Sequence, residues 1–296
     1  DYPSKPVRIV IPYAPGGATD IQARVLAENM TKLFSQSVIA ENRPGASGVT
    51  GSEMVARAAP DGYTLLVGSS ASHAVNAAVM TNLPYDPVKD FGHISLLTTI
   101  PNVIVAHPSF EPDNVPKLIA FLKANPGTPY GTAGPTSSGR FAAELMAARL
   151  GVKMTLVPYK GAGPAVADMV GGHLKLSIID ITPAVPMMRA KKLRGIAVTG
   201  RGRSAIFPEL PTLDETAIKG FEGVAWLAFF APRGTPAAIL NRMSGATREI
   251  FFRPAIKASL EEQGSDVVAG SPAELAAFVE SEVKKWTELA RANNIK

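Results

Sequence analysis

Short β-branched runs alternate with helical-period stripes along this chain. Val7-Arg8-Ile9-Val10-Ile11 is the kind of compact run that a parallel sheet buries on both faces. Pro12 to Gly17 breaks it, and Ile21, Val25, Leu26, Met30, Leu33 and Phe34 then recur at the spacing of one helix face. Thr19 with Gln22 three residues on has the form of a capping box and predicts a helix start at about Thr19. The unit returns at Tyr63–Val67, with the small-residue loop Gly68–Ser72 and a helix over Ala74–Met80. It returns again where a strand ends at Tyr130, Gly131–Gly139 forms the loop, and Phe141, Leu145 and Met146 open a helix. Leu156–Tyr159, Gly161–Gly163 and then Val166, Met169 and Val170 make a further copy. Strand-then-helix alternation predicts an α/β chain with mostly parallel sheets. No fixed-period repeat is visible, which excludes a solenoid.

Val103–Ala106 and Trp226–Phe230 are apolar strands about 120 residues apart. They suggest a chain that leaves one domain and returns, giving a first domain of 1–101 plus 222–296 and a second of 102–221. Ser271-Pro272-Ala273-Glu274 is another capping box, with Pro at the first helical position. Leu275, Phe278, Val279, Val283, Trp286 and Leu289 then form one stripe, expected to dock on the first domain.

Composition narrows the function classes. With 46% hydrophobic and 19% charged residues over 296 positions, the chain has a large core and is not disordered. It has no cysteine, so disulfides, thiolate metal sites and a thiol nucleophile are excluded. No apolar run approaches the ~18 residues of a membrane span; the best, Val224–Ala231, ends at Pro232 and reads as a strand. The sequence begins at Asp1, from which a processed N-terminus with its signal peptide removed is expected. A net charge of +5 points to an anionic ligand or to none. Arg189, Lys191, Lys192, Arg194, Arg201 and Arg203 form an acid-free basic run, but no aromatic residues interleave for base stacking.

Catalytic patterns are sparse. His73, His93, His107 and His173 stand apart, without metal-ligand spacing. There is no Gly-x-Ser-x-Gly elbow and no Walker A motif, and Ser281 with Lys284 falls on the polar side of the last helix. Gly200-x-Gly202-x-x-Ala205 lacks the following helix and the distal acid of a dinucleotide site. What remains are small-residue loops at strand ends, where open α/β sheets bind ligands. Gly16-Gly17 before a helix start exposes backbone N–H groups beside a positive dipole end, a general anion cradle. Ser69, Ser70, Ser72, Thr132, Thr136, Ser137 and Ser138 add hydroxyls in other loops. Hydroxyls and amides without paired acids suit binding more than acid–base catalysis. One anion is expected against the amides of Gly17, Ala18 and Thr19, with Ser69 or Ser70 as further donors. A side chain at Gly17 is expected to block that approach and to strain a turn of positive φ.

The stretches Tyr2–Asp20, Glu41–Gly48, Pro60–Leu66, Leu83–Asp86 with Asp90-Phe91, Val157–Ala162, Pro211–Glu215 and Trp226–Pro232 resemble, in order and over essentially the whole chain, one family. It is the substrate-binding proteins of tripartite tricarboxylate transporters, the Bug (Bordetella uptake) family related to TctC proteins. The resemblance implies a two-domain, type II-like periplasmic-binding-protein fold, with two hinge strand crossings and a ligand cleft. It implies a bacterial periplasmic monomer that takes a small carboxylate, closes on it and delivers it to membrane transporter subunits. That carboxylate would be a di- or tricarboxylate, an acidic amino acid or an aromatic acid. No cofactor, metal or nucleic acid is implied. Carried over by position, the ligand loops are Tyr13 to Asp20 (with Gly16, Gly17, Ala18 and Thr19) and Ser69 to His73. From the facing domain they are Thr132 to Ser138, Tyr159-Lys160-Gly161 and Asp180. The family's third loop usually ends in His, where this chain has Arg140, an added cation or an exposed substitution. Asp20 beside an anion site is expected to bond loop amides, not ligand. A ligand-presenting accessory of a sensor and an enzyme on the same scaffold are the alternatives.

Overall fold

The computed structural model describes residues 2–159, 161–292 and 295. Its elements run β1 (Val7–Ile11), α1 (Ala18–Phe34), β2 (Val38–Asn42), α2 (Val49–Ala56), β3 (Thr64–Ser69), α3 (Asn76–Val79) and β4 (Phe91–Ala106). There follow α4 (Val115–Ala124), β5 (Thr128–Thr132), α5 (Ser138–Leu150), β6 (Met154–Pro158), α6 (Ala162–Val170), β7 (Leu176–Asp180), α7 (Ile181–Arg189) and β8 (Arg194–Val198). The last are α8 (Leu213–Thr216), β9 (Val224–Pro232), α9 (Ala237–Phe251), α10 (Pro254–Glu262), β10 (Asp266–Val267) and α11 (Pro272–Ala292). The architecture is α/β, with a helix after most strands, as the alternating pattern predicts.

The chain divides into two compact units. The first comprises Asp1–Thr98, Trp226–Ala258 and Val267–Lys296; the second comprises Thr99–Ala225 and Ser259–Asp266. The boundary therefore falls inside β4 and again inside β9. Residues 259–266 form a further excursion into the second unit, in a stretch that the expected boundaries give to the first.

In the first unit β1 pairs in parallel with β2 and β3, with Ile9 opposite Ala40 and Leu65. β3 then pairs antiparallel with β9, Val67 facing Phe229. Val7, Ile9, Leu65, Val67, Phe229 and Phe230 are fully buried, which is why these strands read as continuous apolar runs rather than as alternation. In the second unit the end of β4 lies between β7 and β8, antiparallel to both, with Val103 opposite Ile179 and Val198. β5 is parallel to β6 and β7. Helix α5 lies so close to β7 that a Cβ on Gly139 would collide with the Ile178 carbonyl oxygen. Ala142, Ala143 and Met146 of the same helix share one core with Ile104, Tyr130 and Ile178. No helix among the described residues is long and apolar enough to cross a membrane.

The Ser271 capping box forms as its pattern predicts: the Glu274 carboxylate accepts from the Ser271 amide at 2.7 Å, and Ser271 Oγ from the Glu274 amide at 3.3 Å. The Thr19–Gln22 box does not form. Helix α1 starts one residue earlier, at Ala18, on an extended Gly17 with no side-chain cap. Gln22 is instead drawn into the core, where its Oε1 accepts from Thr98 Oγ1 at 3.0 Å. A partner 76 residues away in sequence outcompetes the local bond, and no local motif carries that information.

Helix α11 packs on the first unit through its apolar stripe, but that stripe contains an acid. Glu282 Oε2 accepts from both tryptophans of the chain, Trp226 Nε1 at 2.9 Å and Trp286 Nε1 at 3.0 Å. Its other oxygen pairs with Lys285. Glu282 is only 3% exposed, so each indole N–H depends on it in place of water. Glu282→Ala should lower stability by roughly 2–4 kcal/mol, by stranding two buried donors and opening a cavity. Glu282→Gln keeps a carbonyl acceptor and should cost about 1 kcal/mol. Urea unfolding followed by tryptophan fluorescence checks the order; equal losses would mean that packing, not the shared oxygen, dominates.

Candidate functional site

The β1–α1 loop of the first unit is built around one carboxylate. Asp20 Oδ2 accepts from the Gly16 amide at 3.0 Å, and Arg24 Nε donates to both carboxylate oxygens at 3.0 and 3.1 Å. Asn42 Nδ2, from the end of β2, donates to Asp20 Oδ1 at 2.9 Å and to the Tyr13 carbonyl at 3.0 Å. Burial works against ionisation of Asp20, but these bonds and the Arg24 charge outweigh it and hold the carboxyl below its usual range. The loop is thus closed on its inner side by an acid whose charge is already matched.

That closure leaves the helix start open. Gly16 turns the chain with φ +92°, a conformation that favours glycine. The first amides of α1, at Ala18, Thr19 and Asp20, have no partner within the helix. Gly17 and Gly16 are exposed, and a Cβ on either would meet nothing within 4 Å. The expected positive φ at Gly17 is corrected here: Gly17 is extended, at φ −84°, and Gly16 takes the left-handed turn. A side chain at Gly17 would cover the amides without straining the backbone.

The second loop converges on the first. Tyr13 Oη and Ser69 Oγ lie 2.6 Å apart, and burial raises the Tyr13 hydroxyl, so it stays protonated. The Tyr13 hydroxyl also bonds Ser72, through that serine's side chain and backbone, so it is held inside the loop. Ser70, at the start of a π-helical turn over Ala71–Val75, makes no side-chain hydrogen bond among the described residues, and neither does Thr19. Ser72 differs. Its fully buried Oγ accepts from the Ser69 amide at 3.0 Å and bonds His73 Nδ1 at 2.9 Å, so it shapes the loop from inside. His73 is also fully buried, its ring stacked on Phe230 with centroids 4.1 Å apart and an angle of 12°. Burial, with His93 nearby, lowers it to about 3, and it remains a neutral packing group.

Gly48 begins α2 with φ +90°, and a Cβ there would lie 2.7 Å from Tyr13 Oη. Only a glycine lets the tyrosine hydroxyl reach Ser69. Neither Gly48 nor Asn42 is marked as a site residue by the local sequence pattern. Both fall within Glu41–Gly48, a stretch that carried the family resemblance, and that was the available signal.

In the second unit most of the expected hydroxyls are committed locally. Thr132 Oγ1 donates to the Gly134 carbonyl at 3.1 Å, and Ser137 Oγ donates to the same carbonyl at 2.8 Å while capping α5. Thr136 is half-buried in that loop. Tyr159 Oη donates to Asp168 at 2.7 Å; burial and that carboxylate push it up to about 12. The Gly161 amide bonds the Ala133 carbonyl at 3.0 Å. Lys160 lies outside the described residues. Arg140 Nη1 is held by the Pro135 carbonyl at 2.7 Å and Nε lies 4.0 Å from Glu144, so the guanidinium ties down its own loop. Ser138 Oγ lies 3.0 Å from both Asn102 Oδ1 and Asp180 Oδ1. Asn102 in turn donates to the Gly223 carbonyl at 2.7 Å, and Thr199 Oγ1 donates to the same carbonyl at 2.8 Å. Asn102 was not foreseen, since its partners lie up to 121 residues away.

No group of His, Asp and Glu among the described residues could hold a metal ion. Open amides, free hydroxyls and a neutralised acid are groups that can receive an anionic solute. The comparisons agree. Residues 22–295 match the tripartite tricarboxylate transporter family receptor, TctC. The chain is 33% identical to protein BugT of Bordetella pertussis, over all of this chain and 91% of that one. Among solved structures, the periplasmic binding protein BugD superposes with a TM-score of 0.84 at 32% identity, covering 100% of this chain and 99% of that one. Rpa4515 of R. palustris, solved with adipate, gives 0.88 at 32% identity over 100% and 99%. MatC of Rhodopseudomonas palustris, with bound malate, gives 0.84 at 32% over 97% and 99%. The chain belongs to the TctC family of periplasmic binding proteins, the receptors of tripartite tricarboxylate transporters.

The Asp20 arrangement has a pH signature. A carboxyl held below its usual range contributes stability above its unfolded pKa, and that contribution is lost as pH falls through the folded value. Asp20→Asn should therefore melt lower than wild type at pH 7, and the gap should narrow below about pH 4, the ordinary aspartate range. Thermal melts between pH 7 and 3 measure it; a constant gap would mean that the ionised form is not favoured.

Proposed function

We propose that this protein captures a small organic carboxylate and hands it to the membrane subunits of a tripartite tricarboxylate transporter, acting as a single chain. The observation that carries the reading is the bare first turn of α1, with the one adjacent acid already matched by Gly16, Arg24 and Asn42. A carboxylate there replaces its hydration with the amides of Ala18 and Thr19 and the hydroxyls of Thr19, Ser69 and Ser70. The helix dipole adds a favourable potential at the same point. A hydrogen bond to a charged group is worth roughly 1.5–3 kcal/mol, so two or three suffice for micromolar affinity. Adipate and malate in the related structures support a dicarboxylate as the ligand class.

A thermal-shift screen across about fifty organic acids tests the class, since a ligand at ~100 Kd adds ~2.7 kcal/mol. Calorimetry with the best hit then tests the cradle. Gly17→Val, which covers the amides in open space, should weaken binding about 10- to 100-fold, equivalent to one charged hydrogen bond. Arg140→Ala should stay within about threefold, because its Nη1 is already taken by the Pro135 carbonyl and its side chain is largely buried. The reverse order would transfer recognition to an arginine–carboxylate pair. Binding should also survive dialysis against EDTA.

A further inference from the structure

The acid-free basic run from Arg189 to Arg203 divides into two groups in the fold. Arg201 pairs with Glu222 at 3.2 Å, and Arg203 with Glu215 at 3.0 Å. Arg189, Lys191 and Lys192, in contrast, are exposed and form no ion pair among the described residues. They lie at the end of α7 and on the turn into β8, whose backbone is pinned. The Lys191 amide donates to the Met188 carbonyl at 2.9 Å, and the Lys192 amide to the Met187 carbonyl at 2.9 Å. Lys191 takes the left-handed conformation, φ +56°, common where helices end. The negative end of a helix favours cations, which accounts for charge on this turn but not for the hollow beside it.

That hollow is a groove of about 400 Å³, lined only by residues of the second unit and within the size range of small-molecule sites. Its apolar wall is Met188, Leu193, Phe207 and Leu210, all of them buried. Gly195 lets that wall close, since a Cβ there would collide with Met188 Cε and Leu210 Cδ1. Lys191 and Arg194 add two cations to the lining, and Glu209 adds one acid. Arg194 is anchored without being neutralised. Its Nη2 donates to the Phe110 and Pro112 carbonyls, the latter at 2.9 Å, while Nε is buried and meets no acceptor among the described residues. The nearby Asp113 is already paired with Lys117 at 2.9 Å. Strand register separates the groove from the ligand loops of the same unit. Ala106 lies opposite both Leu176 and Arg194, whereas Asp180 lies opposite Asn102, so the groove is at the other end of these strands.

We propose that this groove is a second ligand site, for an amphipathic organic anion that sets its charged group at Lys191 and Arg194 and lays its hydrocarbon body on Met188, Leu193, Phe207 and Leu210. The charge follows from the rim, where two cations stand against one acid and Arg189 and Lys192 adjoin them in sequence. The apolar body follows from the wall, which a small hydrophilic anion would leave uncovered. Concavity favours a free acid over a bilayer, whose flat surface would meet the lysines and leave the wall unfilled. The site is independent of the carboxylate reading of the first unit.

Methionine-methyl NMR on the full chain locates binding, because Met188 is part of the wall; Met188→Leu assigns its signal. Octanoate should shift the Met188 methyl saturably. Its Kd should be at least about tenfold below that of octanamide, which has the chain without the charge, and of acetate, which has the charge without the chain. Lys191→Gly removes the cation and suits the left-handed backbone, so melting should be kept while octanoate weakens about tenfold. An unmoved Met188 methyl, or a shift confined to other methionines, overturns the proposal. So does octanamide or acetate that equals octanoate, or an octanoate affinity unchanged in Lys191→Gly. Sedimentation with phosphatidylglycerol vesicles that is lost in Lys191→Gly, without an octanoate shift at Met188, overturns it in favour of a lipid surface. If Lys191→Gly fails to fold, the ranking of octanoate, octanamide and acetate at Met188 decides alone.

Discussion

The Asp20 carboxylate accepts at once from the Gly16 amide, the Arg24 guanidinium and the Asn42 side chain, and the first unit's ligand chemistry depends on that bond set. A glycine loop is entropically costly to hold in one shape. Here it is held from within, by a side chain of the helix that it introduces, so nothing need cover the loop from outside. The same bonds remove the electrostatic objection to an acid at an anion site. Arg24 supplies the matching charge one turn further along α1, which leaves the helix start free to act on a ligand.

Around that loop, residues that resemble ligand groups serve as its frame. Ser72 and His73 build the π-helical turn that presents Ser69 and Ser70, and Tyr85 Oη donates to the Ser72 carbonyl at 2.7 Å. Helix α11 packs against this turn and against α3, anchored through Glu282 and the two tryptophans. A C-terminal helix thus braces a loop some two hundred residues earlier in the sequence. Its apolar stripe and its buried acid are both needed, the one for area and the other because two indoles cannot be buried without an acceptor.

The second unit uses the same device with a different outcome. Asn102, Thr199 and Gly223 form a buried bond set that links the end of β4 to the segments before α8 and β9. Ser138 connects this set to Asp180. In the first unit the acid is fully satisfied and amides are left open. In the second the donors are spent and an acid oxygen is left open.

Sequence alone determined the α/β alternation, the strands and the loops at their ends, because short β-branched runs and helical-period stripes are local consequences of burial on two faces and on one. It also determined the Ser271 cap, whose partners are three residues apart, and the glycine-flanked start of α1. Tertiary structure decided which hydroxyls remain for a ligand. Thr132, Ser137 and Tyr159 look the same in sequence as Thr19 and Ser70, yet the first three meet acceptors in the folded loops and the other two do not. It decided that Gln22 bonds Thr98 instead of capping its own helix. It also brought Asn42 to Asp20, Asn102 to Gly223 and Glu282 to Trp226 across 22, 121 and 56 residues. The physical reason is common to all of these. A polar side chain takes the best partner available once the apolar core has fixed the backbone, and that choice is settled by distances in space that no local pattern encodes.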